Sequence, residues 1–378
     1  MKNLKIILAI DSFKGSASSK EAADWVEMGI RKVLPEANLL KYAIADGGEG
    51  TIEALVSSLG GEIRNVQVKN PLGEVITANY GMLNSQTAII EMAEASGLML
   101  VEPNHENALQ ASTYGVGQLI LAAINDGAKE IYLGLGGSAT TDGGVGMAQA
   151  LGISFKNAEG IEIASGLAGL KDLASIDLSA LPEAVKQVKF KILSDVSNPL
   201  TGENGAVYIY GPQKGLAQAE IKSLDQSMQN YAQLLEKTVG RKIADLSGAG
   251  AAGGLGAGLL AFFDTEVYQG INQILDLIQI EEAMKDADLI ITGEGNMDTQ
   301  SISGKAPIGV AQLAKKYQKP VIAVVGGREN DLSAIYDAGI DLVFSIVNRP
   351  CSIEEAIAEV KENMITAGET AIRAFLIK

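Results

Sequence analysis

Asp11-Ser12-Phe13-Lys14-Gly15-Ser16 follows the apolar, β-branched-rich run Leu4–Ile10 and precedes a helical pattern over Ser18–Leu34. The reading is a buried strand, a charged crest and a helix. A strand that ends on an acid and a lysine places both charges at its carboxyl end, the edge where open α/β sheets bind ligands. Ser18 and Glu21 have capping-box spacing, and Ala22, Val26, Ile30 and Val33 recur at helical intervals. Leu39–Ala45 repeats the device and ends at Asp46-Gly47-Gly48-Glu49-Gly50, with a helix over Thr51–Leu59.

The rhythm then changes. Ile63–Val68, Val75–Gly81 and Ala88–Glu91 are short strand candidates parted by turn residues, which predicts antiparallel hairpins. Further strands are expected at Glu130–Leu135 and Val188–Leu193, and a long helix over Leu216–Val239. From Asp288 the βα alternation returns, with strands at Asp288–Thr292, Pro320–Val325 and Asp341–Ile346 and a last helix over Ile353–Phe375. The outer segments thus predict a flavodoxin-like α/β domain with a parallel five-stranded sheet in the order 2-1-3-4-5. That domain is discontinuous, 1–65 and 286–378, and 66–285 form an inserted α+β domain.

Composition narrows the chemistry. The formal charge of −16 opposes nucleic acid and anionic membrane, and no run approaches the ~18 apolar residues of a membrane helix. With Cys351 as the single cysteine there is no intrachain disulfide, which suits a cytoplasmic protein. With His105 as the single histidine, multi-histidine metal sites are excluded.

The candidate residues are acids, lysines and glycines. Asp11 and Lys14 are suited to orienting a hydroxyl and neutralising an anion, and Asp46, Gly47, Gly48 and Glu49 offer backbone N–H groups and a carboxylate to a substrate. Gly136-Gly137-Ser138-Ala139-Thr140-Thr141-Asp142 follows a strand and supplies hydroxyl and carboxylate ligands for nucleotide phosphates and Mg²⁺. Asp195 and Asn198 form a strand-end pair able to hold a metal or position a hydroxyl nucleophile. Glu294 lies at the end of the third sheet strand, in Gly293–Asp298, and Lys214 and Lys305 are cations near glycine turns. Acids among glycines at four strand ends, with lysines close by, fit phosphoryl transfer. Two glycine patterns, Gly134–Ala139 and Gly248–Gly253, also match dinucleotide fingerprints. They leave open an NAD-dependent oxidoreductase on a small hydroxy acid, or a non-catalytic binder of a phosphorylated metabolite.

Taken together the motifs resemble the bacterial class I glycerate kinase family. The matching segments run in the family's order: Asp11–Ser16, Ala45–Thr51, Ile90–Gly97, Gly136–Thr140, Asp195–Leu200, Gly211–Gly215, Gly248–Gly254 and Thr292–Gly295. The resemblance implies ATP- and Mg²⁺-dependent phosphorylation of D-glycerate to 2-phosphoglycerate, with a glycerate 3-kinase as the alternative, by a monomer or homodimer. It implies a site in the cleft between the two domains. Lys14, Asp11 and Asp195 would be catalytic, with Asp195 the base. Asp46, Gly47, Gly48, Glu49, Asn198 and Glu294 would bind substrate. Gly136, Gly137, Ser138, Thr140, Thr141, Asp142 and Lys214 would bind the nucleotide, and Asp195 and Asp46 the metal. Thr141 and Asn296 depart from the family pattern, which commonly has Asn and Arg there.

Overall fold

The computed structural model describes residues 4–302 and 305–377. The chain divides into two compact units. The first comprises Met1–Asp46, Glu53–Gly60 and Gln269–Lys378, and the second Gly47–Ile52 and Gly61–Tyr268. The first unit begins with β1 (Lys5–Ile10) and β2 (Asn38–Ala43). The second contains β3 (Glu62–Lys69), β4 (Val75–Met82), β5 (Thr87–Glu91), β6 (Glu130–Gly134), β7 (Ser154–Lys156), β8 (Ser175–Asp177), β9 (Lys189–Leu193) and β10 (Asp264–Tyr268). The first resumes with β11 (Leu289–Met297), β12 (Val321–Arg328) and β13 (Leu342–Ser345).

In the first unit the sheet runs β2-β1-β11-β12-β13, with every pairing parallel. This is the expected flavodoxin-like order. β1 is central, and Ile6–Ile10 are wholly buried because helices cover both faces of such a sheet. The helix Ser19–Arg31 starts at the Ser18/Glu21 capping box read from the sequence. β11 is longer than expected. It continues pairing with β12 through Asn296↔Gly327 and Met297↔Arg328 after β1 has ended opposite Gly293. Glu294 therefore lies inside a strand rather than after one. The C-terminal helix is two helices, Ile353–Ala358 and Val360–Leu376, with a break at Glu359.

The second unit has a six-stranded sheet, β10-β9-β6-β5-β4-β3. The predicted hairpins occur at β3/β4 and β4/β5, which are antiparallel. The pairs β5/β6, β6/β9 and β9/β10 are parallel, so four of the six strands share a carboxyl edge. The helix Tyr114–Asn125 lies in the crossover from β5 to β6 that parallel pairing requires. Among the described residues no helix is long and apolar enough to cross a membrane.

Candidate active site

In the first unit the carboxyl ends of the parallel strands open into a cavity of about 560 Å³. Asp11, Lys14, Asp46, Glu294 and Lys305 form one side of it. β1 delivers Asp11, whose backbone N–H donates to Gly293 O at 2.9 Å and whose Oδ1 accepts from the Ser12 N–H at 2.7 Å. Lys14 stands exposed at the tip of a tight turn closed by Phe13 and Ala17, with Gly15 at φ +76°. Burial, then the Asp46 carboxylate, pushes the Asp11 carboxyl from 3.8 up to about 8. Glu294 adds to the rise, while the Ser12 N–H and Lys14 oppose it. Glu294 is also raised by burial, although the Ser301 hydroxyl donates to its Oε1 at 2.7 Å and Lys305 Nζ to its Oε2 at 3.2 Å. Three carboxyl groups thus share the pocket with two lysines.

In the second unit the carboxyl ends of β5, β6 and β9 carry Glu91, the Gly136–Asp142 turn and Asp195. The Gly47–Gly48 backbone lies against two of these ends. A Cβ on Gly134 would stand 2.4 Å from Gly47 O, and one on Gly136 would stand 2.8 Å from Gly48 Cα. Glycine is required there by close approach. Glu91 holds the same loop, accepting from the Ile52 N–H at 2.7 Å, and burial raises its carboxyl to about 7.

Lys214 is 4% exposed. Its Nζ donates to Ser138 Oγ at 2.9 Å and to Thr140 O at 2.6 Å. Burial lowers its ammonium from 10.5 to about 7, against the pull of Asp142. A buried ammonium among neutral acceptors favours an incoming anion.

The structure revises several expected roles. Asp142 is fully buried. Its Oδ2 accepts from Thr113 N–H and Oγ1, both at 2.8 Å, and from Gly146 N–H at 3.1 Å; its Oδ1 accepts from Gly144 N–H at 3.1 Å. It pins the turn and faces no solvent, so it cannot touch a nucleotide directly. Thr140 and Thr141 are also wholly buried, and their hydroxyls lack a hydrogen-bond partner among the described residues. Only Gly136, Gly137 and Ser138 of this turn reach the surface. Asn198 is occupied: its Nδ2 donates to Asn204 O and its Oδ1 accepts from the Tyr210 hydroxyl, both at 2.8 Å. Asp195 is exposed rather than set in a buried site. Asp46 belongs to the first unit and Asp195 to the second.

The second fingerprint has a packing cause. Ala252, Gly253 and Gly254 have φ of 51°, 65° and 94°, and a Cβ on Gly253 would stand 1.9 Å from Thr140 O. Those glycines let two buried backbones touch, and the oxidoreductase reading loses the feature it rested on. Sequence reasoning missed Glu91 as a loop anchor and Ser301 as a partner of Glu294. Glu91 carries the same signal as Asp11, an acid closing an apolar strand.

Two parallel-strand edges bearing carboxylates, lysines and glycine turns define an α/β protein built for small anionic ligands. Comparison with known proteins narrows this class. The model of the glycerate kinase family matches residues 6–376. A glycerate kinase of Halalkalibacterium halodurans is 46% identical over 355 residues, 94% of this chain and 93% of that protein. The glycerate 2-kinase of Escherichia coli K12 is 44% identical over 365 residues, 96% of each. A crystal structure ascribed to glycerate kinase 2 of Salmonella typhimurium LT2 superposes with a TM-score of 0.88 at 43% identity, covering 99% of this chain and 98% of that one. The chain belongs to the glycerate kinase family.

Proposed function

We propose that this protein transfers the γ-phosphoryl group of ATP to the 2-hydroxyl of D-glycerate, giving 2-phosphoglycerate and ADP. The observation that carries the reading is the first unit's pocket, where Asp11, Asp46 and Glu294 gather with Lys14 and Lys305. Family membership supports the reaction class, and the name of the Escherichia coli relative supports the 2-position.

Phosphoryl transfer asks a protein mainly to position groups and neutralise charge. Lys14, exposed at its turn, is available to a phosphate or carboxylate oxygen. In the second unit, Lys214 with Gly136, Gly137 and Ser138 forms an anion site for a phosphoryl or carboxylate group. Asp195 stays a candidate proton acceptor at the end of β9.

Mg²⁺ fits the acidic pocket, because three carboxyl groups gather there with two lysines and a cation would balance them. Among the described residues no three acidic, His or Cys side chains form a cage. The ion would take Asp11 and Asp46 plus phosphate and water oxygens, as this metal commonly does. When bound it would neutralise charge on the transferring phosphates. A coupled ADP-release assay with D-glycerate tests the reading: release that depends on D-glycerate is expected, and its absence contradicts it.

A further inference from the structure

The first unit's pocket also has an apolar lining that phosphoryl transfer does not explain. Ile346 and Val347 follow β13, and Ile353, Ile357 and Val360 come from the two helices that meet at Glu359. Ile353 is 75% exposed and Ile357 44%. Branched side chains left this open beside a cavity are covered when a ligand with an apolar face enters. Glycerate has no such face, since each of its three carbons carries oxygen. A cavity of about 560 Å³ is also far larger than that molecule needs.

The lining also includes bare backbone at Gly295, Gly326 and Gly327. Gly326 is glycine for packing, because a Cβ there would stand 2.4 Å from Gly295 O. Gly295 is different. Its φ lies outside the left-handed region, and an added Cβ would come no nearer than 3.6 Å, to Phe13 Cα. Neither conformation nor packing demands glycine at 295, but a side chain there would occupy the cavity.

We propose that this pocket receives the adenosine of the phosphoryl donor, its base against Ile353, Ile357 and the bare glycine backbone. A flat aromatic base suits aliphatic side chains and backbone without side chains. The phosphates would lie toward Lys14, beside the carboxylates that would hold the metal. The inference rests on ATP being the donor.

The test uses the full chain and three variants: Ile353→Asp, Ile357→Asp and Gly295→Val. The isoleucines are exposed, so their replacement leaves the core intact, and melting curves check all three. The KM for ATP is expected to rise at least about tenfold in each variant, with the KM for D-glycerate unchanged within about twofold. Adenosine titrated calorimetrically is expected to bind the unmodified protein and not the variants. A rise in the glycerate KM instead, unchanged KM values, or no adenosine binding to the unmodified protein overturns the proposal. If adenosine binds as expected but D-glycerate elicits no ADP release, the pocket assignment stands and the kinase reading falls.

Discussion

Replacing Asp11 by Asn is expected to stabilise the protein while impairing turnover. The Asp11 carboxyl rises from 3.8 to about 8 in the folded chain. Between those values the native state holds a proton that the unfolded state has released. Stability therefore falls as pH rises through this window and levels off above about pH 8. A shift of roughly four pH units at 1.36 kcal/mol each sets a ceiling of about 6 kcal/mol. Asp11 keeps access to water through the pocket, so screening reduces the effect to about 1–2 kcal/mol. For a unit of this size that is a few degrees in Tm. Asparagine keeps an oxygen for the Ser12 N–H, so the local hydrogen bond survives. The assay is thermal melting of both proteins from pH 4 to 9, without nucleotide and with chelator present. The variant's advantage should be absent near pH 4, grow to about pH 8 and then hold constant, with kcat reduced at least tenfold. An advantage independent of pH, or none at pH 8, refutes the argument that burial and the neighbouring Asp46 carboxylate hold a proton on Asp11.

Three other substitutions probe the second unit. Lys214→Met should lower kcat/KM about 10²–10³-fold in the coupled assay, as loss of a positioned charge does. Because burial disfavours the Lys214 ammonium, unmodified stability should rise with pH between about 7 and 10.5, a slope that melting of this variant should lack. Asp142→Ala should cost about 3–5 kcal/mol in a denaturant titration, because it strands the Thr113, Gly144 and Gly146 donors that Asp142 satisfies. Asp195→Ala, at an exposed position, should leave Tm within about 1 °C. Its kcat should fall about 10²-fold if Asp195 takes the substrate proton.

Much of the first unit was legible because its strands are nearly continuous apolar runs. Ile6–Ile10 and Leu289–Ile291 can sit only in a sheet covered on both faces, and alternating helices leave few topologies for such strands. The acids that close these runs were legible for the same reason: charge ending a buried strand must lie at its edge. β10 was not legible. Asp-Thr-Glu-Val-Tyr is half polar, and it is a strand because it pairs with β9 at the sheet's edge. Nor could composition tell a ligand from a girder. Ser138, Thr140, Thr141 and Asp142 read alike as polar residues in a glycine turn, yet tertiary packing leaves Ser138 accessible and buries the other three. Asn198 looked available until the fold placed Tyr210 and Asn204 against it.

The account depends on one reaction, and ³¹P NMR of the product reads it directly. Incubation with ATP, Mg²⁺ and D-glycerate should give ADP and a single new phosphomonoester signal whose proton coupling places the phosphate on the secondary carbon. A phosphate on the primary carbon contradicts the assignment to the 2-hydroxyl, and no new phosphomonoester at all contradicts the kinase.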